Sequence, residues 1–222
     1  GRKFLRAGIG GLNLTHGEDY DLFCGRYEDR ETLLRPMLDR FPPTAVREWA
    51  AQLGVETFQG SSGRVFPVDM KAAPLLRAWV QRLRAQGVRF RTRHRWLGWN
   101  EAGALRFSAP EGECDIQPRA TVLALGGGSW PQLGSDAAWQ PWLEAKGVKL
   151  APLQSANCGF EVEWSAHLRE AFAGSQVKPV ALTFTDSTGQ THTRQGEFVV
   201  TEYGVEGSLI YAFSSRFRDA IQ

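Results

Sequence analysis

Cysteine, long apolar runs and excess charge of either sign are all scarce in this sequence. Its 222 residues include three cysteines, Cys24, Cys114 and Cys158, which are too few and too widely spaced for a disulfide framework or a zinc site. No apolar stretch approaches the length that crosses a bilayer, and the first residues do not lead into the apolar segment of a signal peptide. These absences favour a cytoplasmic protein without a membrane partner or a bound metal.

The charge balance also excludes some classes of partner. Lysine and arginine number 26 against 24 acidic residues, a formal net charge of +2, which argues against general attraction to nucleic acid. Hydrophobic residues make up 42% and charged residues 23%, as in ordinary globular proteins. The length allows one large or two small domains.

The common catalytic motifs are missing as well. There is no H-x-x-x-H, C-x-x-C, G-x-S-x-G or P-loop sequence, and the histidines are scattered: His16, His94, His167 and His192. A lone histidine is more often structural than catalytic. The sequence therefore assigns no catalytic residue.

The most informative feature that is present is an apolar run that stops at glycines. Residues 120–125 predict a strand buried on both faces, and Gly126, Gly127 and Gly128 follow it directly. Glycines at the carboxyl end of a strand let a ligand approach the backbone, and open α/β sheets bind ligands at that end. A buried strand ending in an ordinary glycine turn fits the same pattern, so both interpretations stay open from the motif alone.

The remaining pattern predicts a mixed α/β (α+β) chain. Residues 1–27 are glycine-rich and irregular, and the clearest predicted helix covers 70–86. Further helices are predicted at 28–40, 44–53, 136–146 and 209–221, and strands at 55–58, 88–91, 95–99, 104–108, 157–164, 177–185 and 191–201. The order up to Gly128 matches the second half of a nucleotide-binding α/β unit whose crossover is an antiparallel β-meander. From residue 153 onward the sequence consists mainly of segments with strand composition, and this change predicts a domain boundary between residues 152 and 153.

A complete dinucleotide fingerprint is not found. The motif G-x-G-x-x-G is needed at a strand-to-helix turn, and residues 8–13 have Asn13 in place of the third glycine and no preceding strand. The glycines 126–128 fail the spacing too. Chemistry alone thus predicts half a cofactor site or none.

Short motifs that follow one another in a fixed order add a further indication: residues 1–5, Gly8, Gly11, 13–15, 63–67, 123–131, 134–135, 196–198 and 201–207. Taken together they resemble a family of bacterial flavoproteins, the YhiN/BaiN-like (aminoacetone oxidase-like) FAD-dependent oxidoreductases. The resemblance spans nearly the whole chain. It implies a partial FAD/NAD(P)-binding Rossmann-like domain over 1–152 and part of an inserted β-barrel domain, on the substrate side, over 153–222.

The resemblance also implies which residues contact the cofactor. Arg2 and Lys3 would offset phosphate charge, and Gly126 and Gly127 would approach the diphosphate or the ribityl chain. The other implied FAD contacts are Gly8, Gly11, Asn13 and Thr15 in a loop near the flavin, and the backbone of Trp96 near the adenine. Without the resemblance, an ordinary turn at 8–15 and a solvated basic start explain these residues.

Function follows from the same resemblance. It implies hydride transfer between NAD(P)H or an organic substrate and flavin, whose ring carries the redox chemistry. Family members have an amino-terminal G-x-G-x-x-G unit and a carboxyl-terminal return to the FAD domain. Because neither appears in this sequence, we expect these 222 residues to be an internal segment that by itself neither retains FAD firmly nor is active as an enzyme.

Two other classes of function remain as alternatives. One is a non-catalytic scaffold that keeps the flavoprotein fold. The other is an RNA-binding or tRNA-modifying protein, because arginines between Arg77 and Arg95 alternate with aromatic residues. A basic helix face and a strand edge protected by charge explain the same arginines without any RNA.

Overall fold

The computed structural model describes residues 1–221 and divides the chain into two compact units, Gly1–Val148 and Lys149–Gln222. In the first unit the helices are α1 (Arg2–Ala7), α2 (Tyr20–Gly25), α3 (Glu31–Arg40), α4 (Pro43–Gln52), α5 (Ala72–Ala85) and α6 (Gln140–Glu144). Its strands are β1 (Thr15–His16), β2 (Thr57–Gln59), β3 (Arg64–Pro67), β4 (Arg95–Trp99), β5 (Leu105–Ala109) and β6 (Gly112–Ile116). Short 3₁₀ turns cover Glu28–Arg30 and Pro131–Leu133.

Two antiparallel sheets organise the first unit. The shorter strands pair in the order β1-β3-β2. Strands β4-β5-β6 form an antiparallel β-meander, of which the sequence predicts β4 and β5 but not β6. The meander turns at Asn100, whose side-chain oxygen accepts from the Ala104 N–H at 2.9 Å. Antiparallel neighbours joined by short turns need no long crossover, which is why consecutive strands lie side by side in the meander.

The core of this unit lies where α4 and α5 meet the segment after α1. Leu12, Ala50, Ala72 and Leu75 are buried together, with Trp49 packed against them. The apolar stripe of α5 supplies Leu75, and complete burial of such a side chain stabilises the fold by about 1.5–3 kcal/mol. This packing holds the chain between α1 and β1 against the start of α5.

The predicted buried strand at 120–125 is not formed, and this prediction is wrong. Val122 is 91% exposed and Leu123 is 43% exposed. Within residues 1–221 no other strand pairs with this segment, so it lacks both the hydrogen-bond ladder and the two covering layers that bury such a strand. The glycine turn that follows is nevertheless well defined by contacts to other parts of the unit.

Two more predictions for the first unit are wrong. Residues 88–91 carry strand-type side chains but form no strand. Residues 1–27 are predicted as irregular, yet α1 and α2 form there, and the Asp19 carboxylate caps α2 by accepting from the Asp21 and Leu22 N–H groups. The Asp19 cap accounts for the start of α2, whereas α1 begins without a side-chain cap.

The second unit contains β7 (Phe160–Glu161), α7 (Ala166–Phe172), β8 (Gln176–Thr185), β9 (Thr191–Val200), β10 (Gly204–Glu206), α8 (Ser208–Ala212) and α9 (Ser214–Ile221). Its antiparallel sheet has the order β7-β10-β9-β8. Leu209, Ile210 and Phe213 are buried, and Phe213 stacks on Phe217 at a ring distance of 5.5 Å. The helix predicted at 209–221 is two helices that meet at Phe213. The β-barrel stays a prediction, because these four strands form an open sheet.

A hydrogen-bonded turn joins β8 to β9. The Asp186 carboxylate accepts from the Thr188 hydroxyl at 2.6 Å and lies 2.8 Å from His192 Nε2. These contacts, the Thr188 hydroxyl foremost, hold the pKa of Asp186 well below its usual range. Hydrogen bonds within the turn therefore hold the hairpin.

None of the helices described in residues 1–221 is both long enough and apolar enough to cross a membrane.

Candidate functional site

Helix α1 brings a set of cations to the glycine turn of the first unit. The Lys3 ammonium donates to the Ser129 hydroxyl at 2.8 Å and lies 3.5 Å from the Ser135 hydroxyl. Arg2 lies beside Gly134, where an added Cβ would come within 3.1 Å of its guanidinium nitrogen. A residue at every third or fourth position of a helix shares one face, so Arg2 and Lys3 reach the same loop as Arg6.

The carbonyls of the glycine turn are held by groups of their own unit. Gly126 O accepts from the Trp139 indole N–H at 3.0 Å. Gly127 O accepts from the Ser135 hydroxyl at 2.9 Å and from the Ala137 N–H at 3.2 Å. No hydrogen bond from the Gly126 or Gly127 N–H group is found within the described residues. The turn therefore keeps its acceptors occupied and its donors available.

The space next to this turn is open. A Cβ added at Gly127 would meet no heavy atom within 4 Å, and one at Gly126 only the Ser135 hydroxyl at 3.8 Å. Gly126 also has φ of +75°, a left-handed conformation that glycine adopts without cost. The backbone of Gly127 is not left-handed, and a side chain there would have room. Neither packing nor backbone geometry therefore explains why this residue is glycine.

The site also contains an aromatic ring, that of Trp130, which we call the aromatic wall. The Arg6 guanidinium lies over the Trp130 ring at 5.3 Å from its centroid, a cation–π contact. A cavity of about 280 Å³ is lined by Lys3, Arg6, Ile9 and Trp130. We call Arg2, Lys3, Arg6, Gly126, Gly127 and Trp130 the cation–glycine site.

The β-meander is tied to the same loop by an ion pair. Arg95, at the start of β4, contacts the Asp136 carboxylate at 3.0 Å. The pKa of Asp136 is lowered, first by the Ala138 N–H that donates to it and then by the charge of Arg95. Asp136 is consequently ionised at neutral pH and holds the loop beside Ser135.

Gly8 and Gly11, two of the predicted contacts, are surrounded by side chains of the fold. A Cβ at Gly8 would lie 2.6 Å from the Ala72 Cβ. A Cβ at Gly11 would lie 2.5 Å from Met70 Cε, and Gly11 has φ of +120°. Packing and backbone geometry account for both glycines without a ligand.

Asn13 and Thr15 take part in local backbone structure. Thr15 pairs with Val65 across β1 and β3. With its amide oriented to satisfy its neighbours, Asn13 donates to Thr15 O at 2.8 Å and to Val65 O at 3.3 Å. These hydrogen bonds explain the amide of Asn13 without a ligand, whereas the pairing of Thr15 involves only its backbone. The contacts of both residues to the flavin stay predictions.

Trp96 has an unsatisfied donor. It lies on β4, with its ring 4.8 Å from that of Trp99 in an edge-on contact. Its indole N–H is buried and has no hydrogen-bond partner among the described residues. A buried donor of this kind costs free energy unless something accepts from it. The predicted backbone contact of Trp96 to adenine stays a prediction.

The chemistry of the cation–glycine site fits a diphosphate. Available N–H groups, two lysine or arginine charges beside them and an open glycine surface are what phosphate oxygens require. The Trp130 ring offers a flat apolar surface next to those charges. The residues present therefore fit the diphosphate part of FAD, and they hold no metal-binding group, since no cluster of metal-ligating side chains occurs in residues 1–221.

Sequence reasoning placed Arg2, Lys3, Gly126 and Gly127 in the site and missed Arg6 and Trp130. Arg6 would have been found from its helical spacing to Arg2 and Lys3, had α1 been predicted. No sequence signal points to Trp130 as a partner of Arg6.

The histidines do not form a catalytic group. His16 contacts Ser62 O at 3.1 Å and Glu18 at 3.2 Å, and His94 contacts Thr92 O at 2.9 Å. His192 is held by Asp186, as described above. These contacts give each of these histidines a structural role, and no catalytic side chain is assigned.

Comparison with known families places the chain in one of them. The family model described as HI0933-like protein Rossmann domain matches residues 1–211. No curated protein matches the chain significantly. The matched range contains every residue of the cation–glycine site.

Proposed function

The chain belongs to the HI0933-like Rossmann-domain family, a family of FAD-binding oxidoreductases, and on that premise we propose that its cation–glycine site holds the diphosphate of FAD. The protein is then an oxidoreductase that transfers hydride between NAD(P)H or an organic substrate and flavin. The finer assignment to the YhiN/BaiN-like branch, and a cytoplasmic location, belong to the same proposal.

One observation carries this proposal. The carbonyls of Gly126 and Gly127 are held internally while their N–H groups have no partner in residues 1–221, and the Lys3 ammonium is fixed nearby by Ser129. A turn of this kind offers hydrogen-bond donors and positive charge to one incoming anion. FAD carries a diphosphate, which is such an anion.

Each residue of the site has a distinct part in holding the cofactor. Lys3 and Arg2 neutralise the phosphate charge, and Ser135 fixes the Gly127 carbonyl so that the turn keeps its shape. Trp130, backed by Arg6, shields one side of the cavity from water. When bound, FAD supplies the ring that accepts and returns hydride. The sheet of the second unit is the proposed substrate-side domain.

An equilibrium titration tests cofactor binding. FAD and riboflavin are titrated into the chain, followed by flavin fluorescence, so that weak binding is still measured. We expect FAD to bind more tightly than riboflavin, because riboflavin lacks the phosphates. ADP should compete with FAD, since it carries the same diphosphate.

Substitution of Lys3 makes the titration specific. Lys3→Met keeps the length of the side chain and removes its charge, and we expect the FAD affinity to fall about tenfold, the effect of losing one charge-assisted hydrogen bond of ~1.5 kcal/mol. Arg119→Met is the control, because Arg119 is exposed and forms no ion pair within the described residues. Equal loss in both variants, or equal affinity for FAD and riboflavin, would contradict the proposal.

Steady-state kinetics separates an enzyme from a scaffold. With FAD present at saturation, we expect continuous oxidation of NADH or NADPH by the full-length protein, measured as loss of absorbance by the reduced nicotinamide. FAD binding without turnover of either nucleotide or of organic donors would instead assign the scaffold.

A further inference from the structure

The arginines between α5 and β4 form a second charged surface, distant in sequence from the cation–glycine site. No Asp or Glu occurs between Asp69 and Glu101. Arg84, Arg89, Arg91 and Arg93 are all exposed. We call residues 89–93 together with Arg84 the arginine loop.

Protection of a strand edge does not explain this loop. That explanation requires Arg89 and Arg91 to lie on a strand, and residues 88–91 form none. Arg95 does lie on the edge strand β4 and is paired with Asp136. Arg89, Arg91 and Arg93 follow α5 and precede β4, so neither a basic helix face nor a protected strand edge accounts for them.

The arginines of the loop are not neutralised by the protein. Within residues 1–221, no carboxylate pairs with Arg89, Arg91 or Arg93. Arg93 has φ of +58°, a left-handed conformation that an arginine adopts at a cost of about 1–2 kcal/mol. Three unpaired like charges repel one another, so a binding partner that supplies negative charge would stabilise this arrangement.

An aromatic ring lies among these charges. Phe90 is 43% exposed, and the Arg84 guanidinium lies over its ring at 5.9 Å from the centroid. Single-stranded nucleic acids bind to surfaces on which cations hold phosphates and an aromatic side chain stacks on a base. An anionic membrane fits less well, because it requires a wide apolar face and here only Val88 and Phe90 are exposed apolar residues.

We propose that the arginine loop is a binding surface for single-stranded nucleic acid, with Arg89, Arg91 and Arg93 contacting phosphates and Phe90 stacking on a base. The loop reads no sequence, because guanidinium–phosphate and stacking contacts are shared by all nucleotides. This binding is independent of FAD and adds a macromolecular partner to the proposed oxidoreductase.

Fluorescence anisotropy with labelled oligonucleotides tests the proposal. The probes are U20 and dT20, each with a 5′ fluorescein, titrated with the chain at several salt concentrations. We expect both to bind with similar affinity. Affinity should fall as salt rises, since each phosphate contact releases counterions.

Two triple variants with the same loss of charge give the decisive comparison. R89Q/R91Q/R93Q should weaken binding more than tenfold and reduce the slope of log K against log salt by about 2, at ~0.7 per phosphate contact. The control R40Q/R119Q/R169Q removes three exposed arginines elsewhere and should change affinity less than about twofold. Thermal unfolding of both variants verifies that they remain folded.

A single substitution tests the stacking. Phe90→Leu keeps an apolar side chain but removes the ring, and we expect the affinity for both oligonucleotides to fall about fivefold. Equal weakening by the two triple variants, no effect of Phe90→Leu, or no binding of U20 and dT20 by the unmodified chain would overturn the proposal. Binding to phosphatidylserine vesicles without binding to oligonucleotides would overturn it too and assign a membrane surface.

Discussion

Gly8 and Gly11 lie against other side chains of the first unit, whereas Gly126 and Gly127 border open space. An added Cβ would lie 2.6 Å from the Ala72 Cβ at Gly8, but would meet nothing within 4 Å at Gly127. Both pairs look alike in the sequence, and the family resemblance implies a cofactor contact for each. The difference teaches that packing and backbone geometry explain the first pair, whereas no described residue fills the space beside the second pair, where we propose that the cofactor binds.

The largest expected effect is on stability, at Gly8, which with Gly11 forms the packed pair. Gly8→Ala should lower the free energy of unfolding by about 2 kcal/mol, because its Cβ overlaps the fixed Cβ of the buried Ala72. FAD affinity should be unchanged at temperatures where the variant is folded. Chemical denaturation and the flavin titration measure the two quantities.

A second variant tests whether the overlap with Ala72 causes the loss of stability in Gly8→Ala. Ala72→Gly alone should cost about 1 kcal/mol, as glycine weakens helix α5, but it should restore stability when combined with Gly8→Ala. Simple addition of the two losses would show that the overlap of Gly8 with Ala72 is not the cause.

Gly126 and Gly127, the open pair, should respond in the opposite way: substitution should lower FAD affinity and not stability. Gly127→Ala should leave unfolding unchanged or raise its free energy by about 0.4–1 kcal/mol, since the site has room and the unfolded chain loses freedom. Affinity for FAD should fall about fivefold, because the methyl group occupies the approach to the backbone N–H groups.

Gly25→Ala in α2 is the matched control for Gly127→Ala. An added Cβ there meets only Glu31 Oε2, at 3.9 Å, and Gly25 lies outside the cation–glycine site. It should change neither FAD affinity nor the fold. If Gly127→Ala binds FAD as well as this control does, the open glycine face is not the approach to the cofactor.

A smaller effect is expected at the aromatic wall. Trp130→Leu removes the flat surface of the cavity and the ring that holds the Arg6 guanidinium beside it, and we expect FAD affinity to fall about threefold, or ~0.7 kcal/mol. Trp130→Phe retains a ring and should lose less. A result in which both variants bind like the unmodified chain would remove Trp130 from the site.

The smallest effect concerns pH. Asp136 has a lowered pKa in the folded protein, so its ion pair stabilises the loop above the unfolded value of about 3.9 and is lost as the pH falls through the lower folded value. Asp136→Asn should therefore be slightly less stable than the unmodified chain at pH 7, with the difference shrinking below about pH 4. Residues 8–12 contain no titratable side chain, so the packed pair has no such dependence.

Regular patterns made part of the fold predictable. The apolar stripe of α5 and the strand composition of β8 and β9 are strong local signals, and the structure contains these elements with small shifts in their ends. The segment 120–125 has an equally strong apolar run, but burial of a strand depends on neighbours that an isolated pattern does not reveal. Helix α1 is short and borders glycines, so its local signal is weak.

The candidate site was predictable only in part, for the same reason. Gly126 and Gly127 stand out in sequence, and the resemblance adds Arg2 and Lys3. The packing role of Gly8 and Gly11 depends on Met70 and Ala72, which lie far along the chain. Contacts of this kind depend on tertiary structure and produce no pattern in the neighbouring sequence.

The most direct test of the central claim is an ¹⁵N-labelled amide spectrum of the chain during titration with FAD. Free N–H groups at Gly126 and Gly127 that come to donate to phosphate should shift downfield in a saturable way, while the amides of Gly8 and Gly11 stay in place. ADP should reproduce the shifts, and riboflavin should not. Movement of the Gly8 and Gly11 amides with none at Gly126 and Gly127 would contradict the account.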